Sequence, residues 1–549
     1  MVHLTCLLTS IKGPMFNMIV HCFYPHICLA CILIIQIGRE AMYLPVRMFL
    51  HLHSFLILHA FFLLTRGRST TAYTKPRVFV LTDIENEPDD TMSLARFLLY
   101  SNQFEVAGLC ATTSVWLTNG TFIDSIFASL AAYSEIYDNL SAHQPDTQGP
   151  WPTADELASK TYQGVPLYGL NGVGQGHSSN GSNALMETID QNEDPTWVTI
   201  WSGANVLAQA VWQYEQNHTE KEVEQFVSKI RVYSTSDQDN SGPWLRMKHP
   251  KIFWINSLTA MNIYNDATWT GISGEAYYSF DFGGPNSSLV SNDWLQTNIR
   301  DISSYGRVYP DYDFIMEGDS PTFLYLMQNG LSVPEHPNWG SWGGRYGRFF
   351  NLTNHYVNTV DVNVPGQNFT TRNYTSTQAT IWRWREAYQW DFSGRMRWTS
   401  TSNFSAVNHN PVVVVNGSTI VAEPVYLNVT PGETVVLDAT ASYDPDHNGS
   451  STQTTHDLSS KGFKSVKFWQ YLEASEWQDV VTTAPELTII QNGLTAVVNI
   501  PGEDDIMSAW IEGLGTNYED KTLQVIVEIW DDGSPSLVGY KRVVLNVDI

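Results

Sequence analysis

Between Lys75 and about Trp390 the hydrophobic period of the sequence keeps switching. "RVFVLTDI" reads as a strand, "TMSLARFLLYS" as a helix and "FEVAGLCATTS" as the next strand. "TFIDSIFASLAAYSEIY", "WVTIWSG", "ANVLAQAVWQYEQ" and "KIRVYSTSD" continue as helix, strand, helix and strand. Short β-branched runs separated by amphipathic helices form βαβ units, which predicts an α/β fold with an open, mostly parallel sheet flanked by helices. In such sheets functional groups gather beyond the carboxyl ends of the strands. "LTDIENEPDD", residues 81–90, stands at such an end and puts five acidic side chains into ten positions.

The period changes again after a polar stretch at 399–410. "PVVVVNGS", "PVYLNVTPGETVVLDATASYDPD", "LTAVVNI" and "TLQVIVEIWDDGSPSLVGYKRVVLNV" are strand-like runs separated by turn signals, the pattern of an immunoglobulin-like β-sandwich. "LDATASYDPDHNG" resembles the opening of PKD-type domains; Asp444 and Asp446 there are candidates for a structural Ca²⁺, although Asp-Pro-Asp turns also form without metal. The expected organisation is therefore an N-terminal segment 1–74, an α/β domain 75–398, a linker 399–410 and a sandwich 411–549.

Residues 1–66 are of another kind. "IVHCFYPHICLACILIIQI" is long enough to span a bilayer at about 20 residues. "MFLHLHSFLILHAFFLL" has Arg47 before it and small residues from Ser69 to Ala72 after it, the layout of a signal peptide. Translation starting at Met42 or Met48 is the alternative account of everything earlier. Twelve N-x-S/T sequons follow, at Asn119, Asn139, Asn180, Asn217, Asn286, Asn351, Asn368, Asn373, Asn403, Asn416, Asn428 and Asn448. The expectation is a secreted glycoprotein, or one anchored to a membrane through the N-terminal segment alone. Of five cysteines only Cys110 lies beyond residue 31, so the folded part has no internal disulfide. A net charge of −26 argues against a nucleic-acid partner, which would need clustered Lys and Arg.

Asp83, Glu85, Asp89 and Asp90 fall within one strand-to-helix connection. Carboxylates that close stay ionised only at a cost, so either one is protonated or a cation sits among them. A hard cation such as Ca²⁺ takes six to eight oxygen ligands of this kind. The alternative is an acidic helix start, with Pro88 opening the helix and Asp89 and Asp90 in its first turn. In "MEGDSPTFLYLMQNG", capping by Asp319 or Ser320 ahead of Pro321 is likewise one account of Asp319.

Asp83-Ile84-Glu85-Asn86-Glu87-Pro88-Asp89-Asp90 resembles the Asp-x-Asp-x-x-x-Asp-Asp signature of nucleoside hydrolases. Over residues 76–549 the chain resembles the cellulose-binding, nucleoside-hydrolase-like proteins, which carry such a domain ahead of a β-sandwich. "TDIENEPDD", "ATTSVWL", "RVYSTSDQDNSGPW", "YPDYDFIMEGDSPTFLYLMQNGL" and "WGGRYGRF" carry the likeness. The resemblance implies a Ca²⁺ site with Asp90 as a bidentate ligand and Asp89 on the metal or on a sugar hydroxyl. It puts Glu85 at the place of the acid that both ligates metal and deprotonates water, makes Asp83 the first acid and alternative base, and has Asp319 complete the sphere. A main-chain carbonyl near Ser202 is a further ligand candidate.

Three departures stand out. Glu85 is one methylene longer than the expected Asp. Gly318 stands where many nucleoside hydrolases have a leaving-group His. The sugar-binding Asn expected after "TT" is displaced, Asn119 lying further along. Elsewhere, Asp237, Asp239 and Asn240 in "STSDQDNSGPW" are candidate polyol contacts, with a capped turn as the alternative. Trp342 and Arg345 in "WGGRYGRF" are candidates for a sugar face, with core packing as the alternative. Two functions follow from this reading. One is a Ca²⁺-dependent hydrolase of an N-glycosyl or O-glycosyl bond acting on a carbohydrate or nucleoside-like molecule. The other is a non-catalytic protein that binds a plant cell-wall polysaccharide such as cellulose.

Overall fold

The computed structural model describes residues 75–275, 286–349, 353–367, 372–447, 457–475, 484–509 and 522–548. The signal-peptide or anchor segment and the sequons at Asn351, Asn368 and Asn448 lie outside them. Among the described residues no helix is long and apolar enough to cross a membrane. Thr74–Ile549 make up one compact unit.

The strands are β1 (Arg77–Thr82), β2 (Glu105–Ala111), β3 (Thr161–Gln163), β4 (Thr196–Ile200), β5 (Ile230–Ser234), β6 (Phe253–Asn256), β7 (Tyr346–Arg348) and β8 (His355–Asn358). They form one sheet in the order β3-β2-β1-β4-β5-β6-β8-β7. All neighbours pair parallel except β7 with β8 at the edge. The chain starts in the middle, builds outward to one side and then crosses to the other. That reversal between β1 and β4 opens a crevice beyond their carboxyl ends, the usual ligand position in a doubly wound sheet.

β1 and β4 are buried along nearly their whole length because helices cover both faces of the sheet. α1 (Pro88–Tyr100) follows β1 directly, with Pro at its start and buried residues from Met92 to Tyr100. It is buried on nearly every side because it sits between the sheet and the C-terminal helices. α2 (Ile123–Ser141) follows β2, and α3 (Asn205–Glu215) follows β4.

A hairpin of β9 (Asp361–Pro365) and β10 (Asn373–Ser376) leads to α4 (Arg385–Trp398). The remaining strands form two sheets over a shared core that includes Leu437, Val498, Val525, Val543 and Leu545. One contains β11 (Val425–Val429), β13 (Phe463–Gln470), β16 (Thr522–Asp531) and β17 (Val538–Val547); the other contains β12 (Thr434–Asp438), β14 (Thr488–Asn492) and β15 (Thr495–Asn499). This is the expected sandwich, antiparallel apart from the β11–β17 pair.

The stretch 399–410 is packed rather than loose. Asn408 is buried and donates to Asp531 and to the Pro535 carbonyl. His409 stacks on Phe404 with ring centroids 3.7 Å apart. A buried polar seam lies further along the join. Arg542 on β17 donates to the Leu331 and Gly340 carbonyls at 2.8 and 2.7 Å. Asp361 accepts from Arg345, Arg383 and Tyr471.

Candidate functional site

β1 ends at Thr82, and the chain turns sharply. The Asn86 amide donates to the Asp83 carbonyl at 3.1 Å, and Glu85 takes a left-handed backbone at φ 82°. A non-glycine residue there costs about 1 kcal/mol. The turn sorts the acids by direction. Asp83 and Glu87 line a cleft of about 380 Å³ with Asp89, Asp90 and Asp319. Glu85 is exposed and accepts from Ser125 on α2. The cleft also takes Trp116 from the loop after β2, Trp201 from the end of β4, Thr235, Ser236 and Gln238 from the loop after β5, and Tyr264, Asn265 and Trp269 from the segment after β6. Every one of these follows the carboxyl end of a parallel strand.

Asp89, Asp90 and Asp319 each offer a carboxylate oxygen within 4.8 Å of the others. Two oxygens on one Ca²⁺, each 2.3–2.6 Å away, lie at most about 5 Å apart, so the spacing fits a shared cation. Asp89 and Asp90 lie in the first turn of α1 behind Pro88, as the helix-start alternative expects, but side-chain capping does not account for Asp319. Asp319 precedes the short helix Ser320–Leu324 and makes no side-chain cap bond there; α1 likewise has no side-chain cap. Asp319 Oδ2 is buried and has no hydrogen-bond partner. Asp90 accepts from the Thr82 hydroxyl, and Asp83 Oδ2 accepts from Ser114 Oγ at 2.5 Å.

The electrostatics agree with the geometry. Burial, opposed by the Ser114 bond, pushes Asp83 up to about 7. Burial and then the charges of Glu87 and Asp83 push Asp89 up to about 8. Asp90 and Asp319 are held well above the ordinary carboxylate value, by burial first and then by their acidic neighbours. Glu87 is raised by burial and by Asp313. A group of acids that resists ionisation this strongly needs protons or a cation.

A second layer fixes the Asp319 loop. Glu317 is buried at φ 53°, pairs with Arg96 of α1 at 2.8 Å and accepts from Tyr309 and Ser320. The Thr322 hydroxyl donates to the Asp319 carbonyl and accepts from Trp201 Nε1, both at 2.7 Å. Thus α1, which carries Asp89 and Asp90, and the loop carrying Asp319 are joined through a buried ion pair.

A family model described as cellulose-binding Sde182, nucleoside hydrolase-like domain, matches residues 77–346, and one described as cellulose-binding protein Sde0182, C-terminal domain, matches residues 434–547. A nucleoside hydrolase-related hypothetical protein from Saccharophagus degradans, associated with carbohydrate metabolism, is 30% identical, with 86% of this chain and 100% of that one covered and a TM-score of 0.65. The chain belongs to this cellulose-binding, nucleoside-hydrolase-like family. An inosine-uridine preferring nucleoside hydrolase from Bacillus anthracis is 14% identical over 59% of this chain and 99% of that one, with a TM-score of 0.29. No curated protein matches the chain.

The structure of this family member brings together Asp83, Asp89, Asp90 and Asp319 and leaves the other expected site residues elsewhere. Glu85, read as both ligand and base, is turned out of the cleft by its left-handed backbone. Asp239 is buried behind the cleft, accepts from the Ser241 amide at 2.8 Å and is raised to about 6 by burial. Asn240 accepts from the Leu170 amide, and Asp237 pairs with Arg246. These are loop-fixing roles, as the capped-turn alternative expects. Trp342 is buried and lines a separate cavity of about 130 Å³ at the join with the sandwich. Arg345 is spent on Asp361 at 2.7 Å. Ser202 is buried directly after Trp201. Asp446 accepts from His409 at 2.8 Å, and Asp444 accepts from the Asp446 amide.

Glu87, Trp116, Gln238, Tyr264, Trp269 and Glu317 were not singled out from the sequence. For Trp116 and Gln238 the usable signal is position, since each falls within the first residues after a parallel strand.

Proposed function

We propose that this protein is a secreted, calcium-dependent hydrolase of a glycosidic bond, working in the cleft formed by Asp83, Asp89, Asp90 and Asp319. The observation that carries this reading is the unpartnered, buried Oδ2 of Asp319, grouped with the acids of a turn more than two hundred residues earlier. Bound there, Ca²⁺ would offset most of the charge of the three carboxylates, anchor sugar hydroxyls and lower the pKa of a water.

The chain's own proton acceptor is Asp83, which lines the cleft, is fixed by Ser114 and is pushed up to about 7. A cation held by the neighbouring acids would lower that value and leave Asp83 ionised, ready to accept a proton. On the side of the departing group, Gly318 brings no acid. A Cβ there would stand 2.8 Å from Asp89 Oδ2, so any side chain would press on that carboxylate. Secretion belongs to the same reading. None of the sequon asparagines among the described residues is buried, as attached glycans require.

The empty acid position at Gly318 also favours a second reading, in which the cleft grips a polysaccharide without cleaving it. The test is to incubate the purified protein with nucleosides, aryl glycosides and plant-wall oligosaccharides, in calcium and in chelator, and to titrate calcium into wild type and Asp90→Ala. The hydrolase reading expects turnover only with calcium, and calcium binding lost in Asp90→Ala with the fold retained. Chelator-insensitive binding to cellulose without turnover on any compound would leave the second reading standing.

A further inference from the structure

We propose that the mouth of the cleft is a stacking subsite for a sugar ring, carried by Trp116 and Tyr264, so that the unit beside the metal-anchored sugar is another saccharide and not a nucleobase. This deepens the reading above and rests on it for the position of the first sugar.

Trp116 is 51% exposed, yet its loop is tightly held. The amides of Trp116 and Leu117 donate to Ser114 Oγ at 3.0 and 3.1 Å, and the Val115 amide donates to the Gln238 carbonyl at 2.7 Å. Ser114 Oγ in turn donates to Asp83, so one hydroxyl sets both the indole and the proposed base. A large apolar ring kept in water by a rigid loop at the edge of a polar cleft is what a preorganised contact looks like.

The ring geometry argues against a ligand clamped between two parallel rings. Trp116 and Tyr264 have centroids 6.3 Å apart and planes tilted by 35°. Tyr264 meets Trp269 edge-on, at 5.9 Å and 88°. A flat heterocycle held between two rings needs them parallel and about 7 Å apart, two contact distances of 3.5 Å. Here the rings lie side by side and tilted, so they form a wall at the edge of the cleft and not a parallel slot. A pyranose needs only that: one apolar C–H face on the wall and polar groups around its rim. Asn86, Gln238 and Asn265 line the same cleft and supply the rim. The volume, about 380 Å³, is within the usual range for a small-molecule site.

The experiment titrates cellohexaose, xylohexaose and inosine into the full-length protein with calcium and again with chelator, for wild type, Trp116→Ala and Trp116→Phe. Thermal melting and a calcium titration accompany each variant. Trp116→Ala is expected to weaken hexasaccharide binding about tenfold and Trp116→Phe less, with melting and calcium affinity unchanged. The proposal is overturned if neither hexasaccharide binds wild type, if Trp116→Ala leaves that binding unchanged, or if inosine binding depends on Trp116. The reading beneath it fails separately, by absence of calcium binding in wild type. The effect of Trp116 on hexasaccharide binding in chelator is scored independently of that result.

Discussion

Two of the places where the chain buries acids are treated in opposite ways. At the join with the sandwich, burial would raise Asp361, but Arg345 and Arg383 outweigh it and hold the carboxyl below its ordinary value. Tyr471 donates to the same carboxylate at 2.8 Å. In the cleft, Asp83, Asp90 and Asp319 are buried and Asp89 half-buried, their charged neighbours are other acids, and all four are raised. The difference teaches that burial alone marks neither structure nor function. What marks a site is a group of buried acids left without cationic side chains, since a fold has no reason of its own to keep them.

The largest test of that contrast applies one replacement to both places. Asp361→Asn leaves two buried guanidinium groups undercompensated and is expected to cost roughly 3–5 kcal/mol in chemical denaturation. Asp319→Asn, measured in chelator, is expected to leave stability unchanged or raised, because it removes one charge from a repelling group. Equal losses at both positions would end the distinction.

A smaller effect is expected with pH. Burial lifts Asp83 from 3.8 to about 7 and Asp89 from 3.8 to about 8, so the folded chain keeps protons that the unfolded chain has released. The stability from these groups is complete below pH 3.8 and is lost as pH rises through 7 and 8. Calcium takes the place of those protons, so the gain in Tm on adding it should be small near pH 5 and largest near pH 8. A gain that does not vary with pH would show that these carboxylates are not where calcium binds.

The smallest effect concerns Glu85. Glu85→Ala is expected to shift stability by no more than about 0.5 kcal/mol and to leave calcium affinity in calorimetry unaltered. A marked loss of affinity would return Glu85 to the ligand set.

The fold was readable because period is a direct consequence of burial. The strand and helix runs from "RVFVLTDI" to "KIRVYSTSD" all appear as elements, and the parallel order follows from them. The acidic turn and its pairing with Asp319 were also visible, through the signature and through "MEGDSP". Direction was not visible. A motif places Glu85 and Glu87 in the same turn, and only the left-handed backbone at Glu85 decides which faces the cleft. Nor could composition separate Arg345, absorbed by Asp361 sixteen residues later, from an arginine free to meet a ligand. Trp116 and Trp342 look alike in sequence; one stands at a cleft mouth and the other fills the join.

The seam at that join has a consequence for how the chain can be handled. Arg542, almost at the C-terminus, reaches back to the carbonyls of Leu331 and Gly340, while Trp342 packs edge-on against Tyr540. Cutting after residue 398 would strip those carbonyls of their donor and bare an indole to water. The first portion is therefore no free-standing domain with a detachable appendage; the last strands serve as its missing wall.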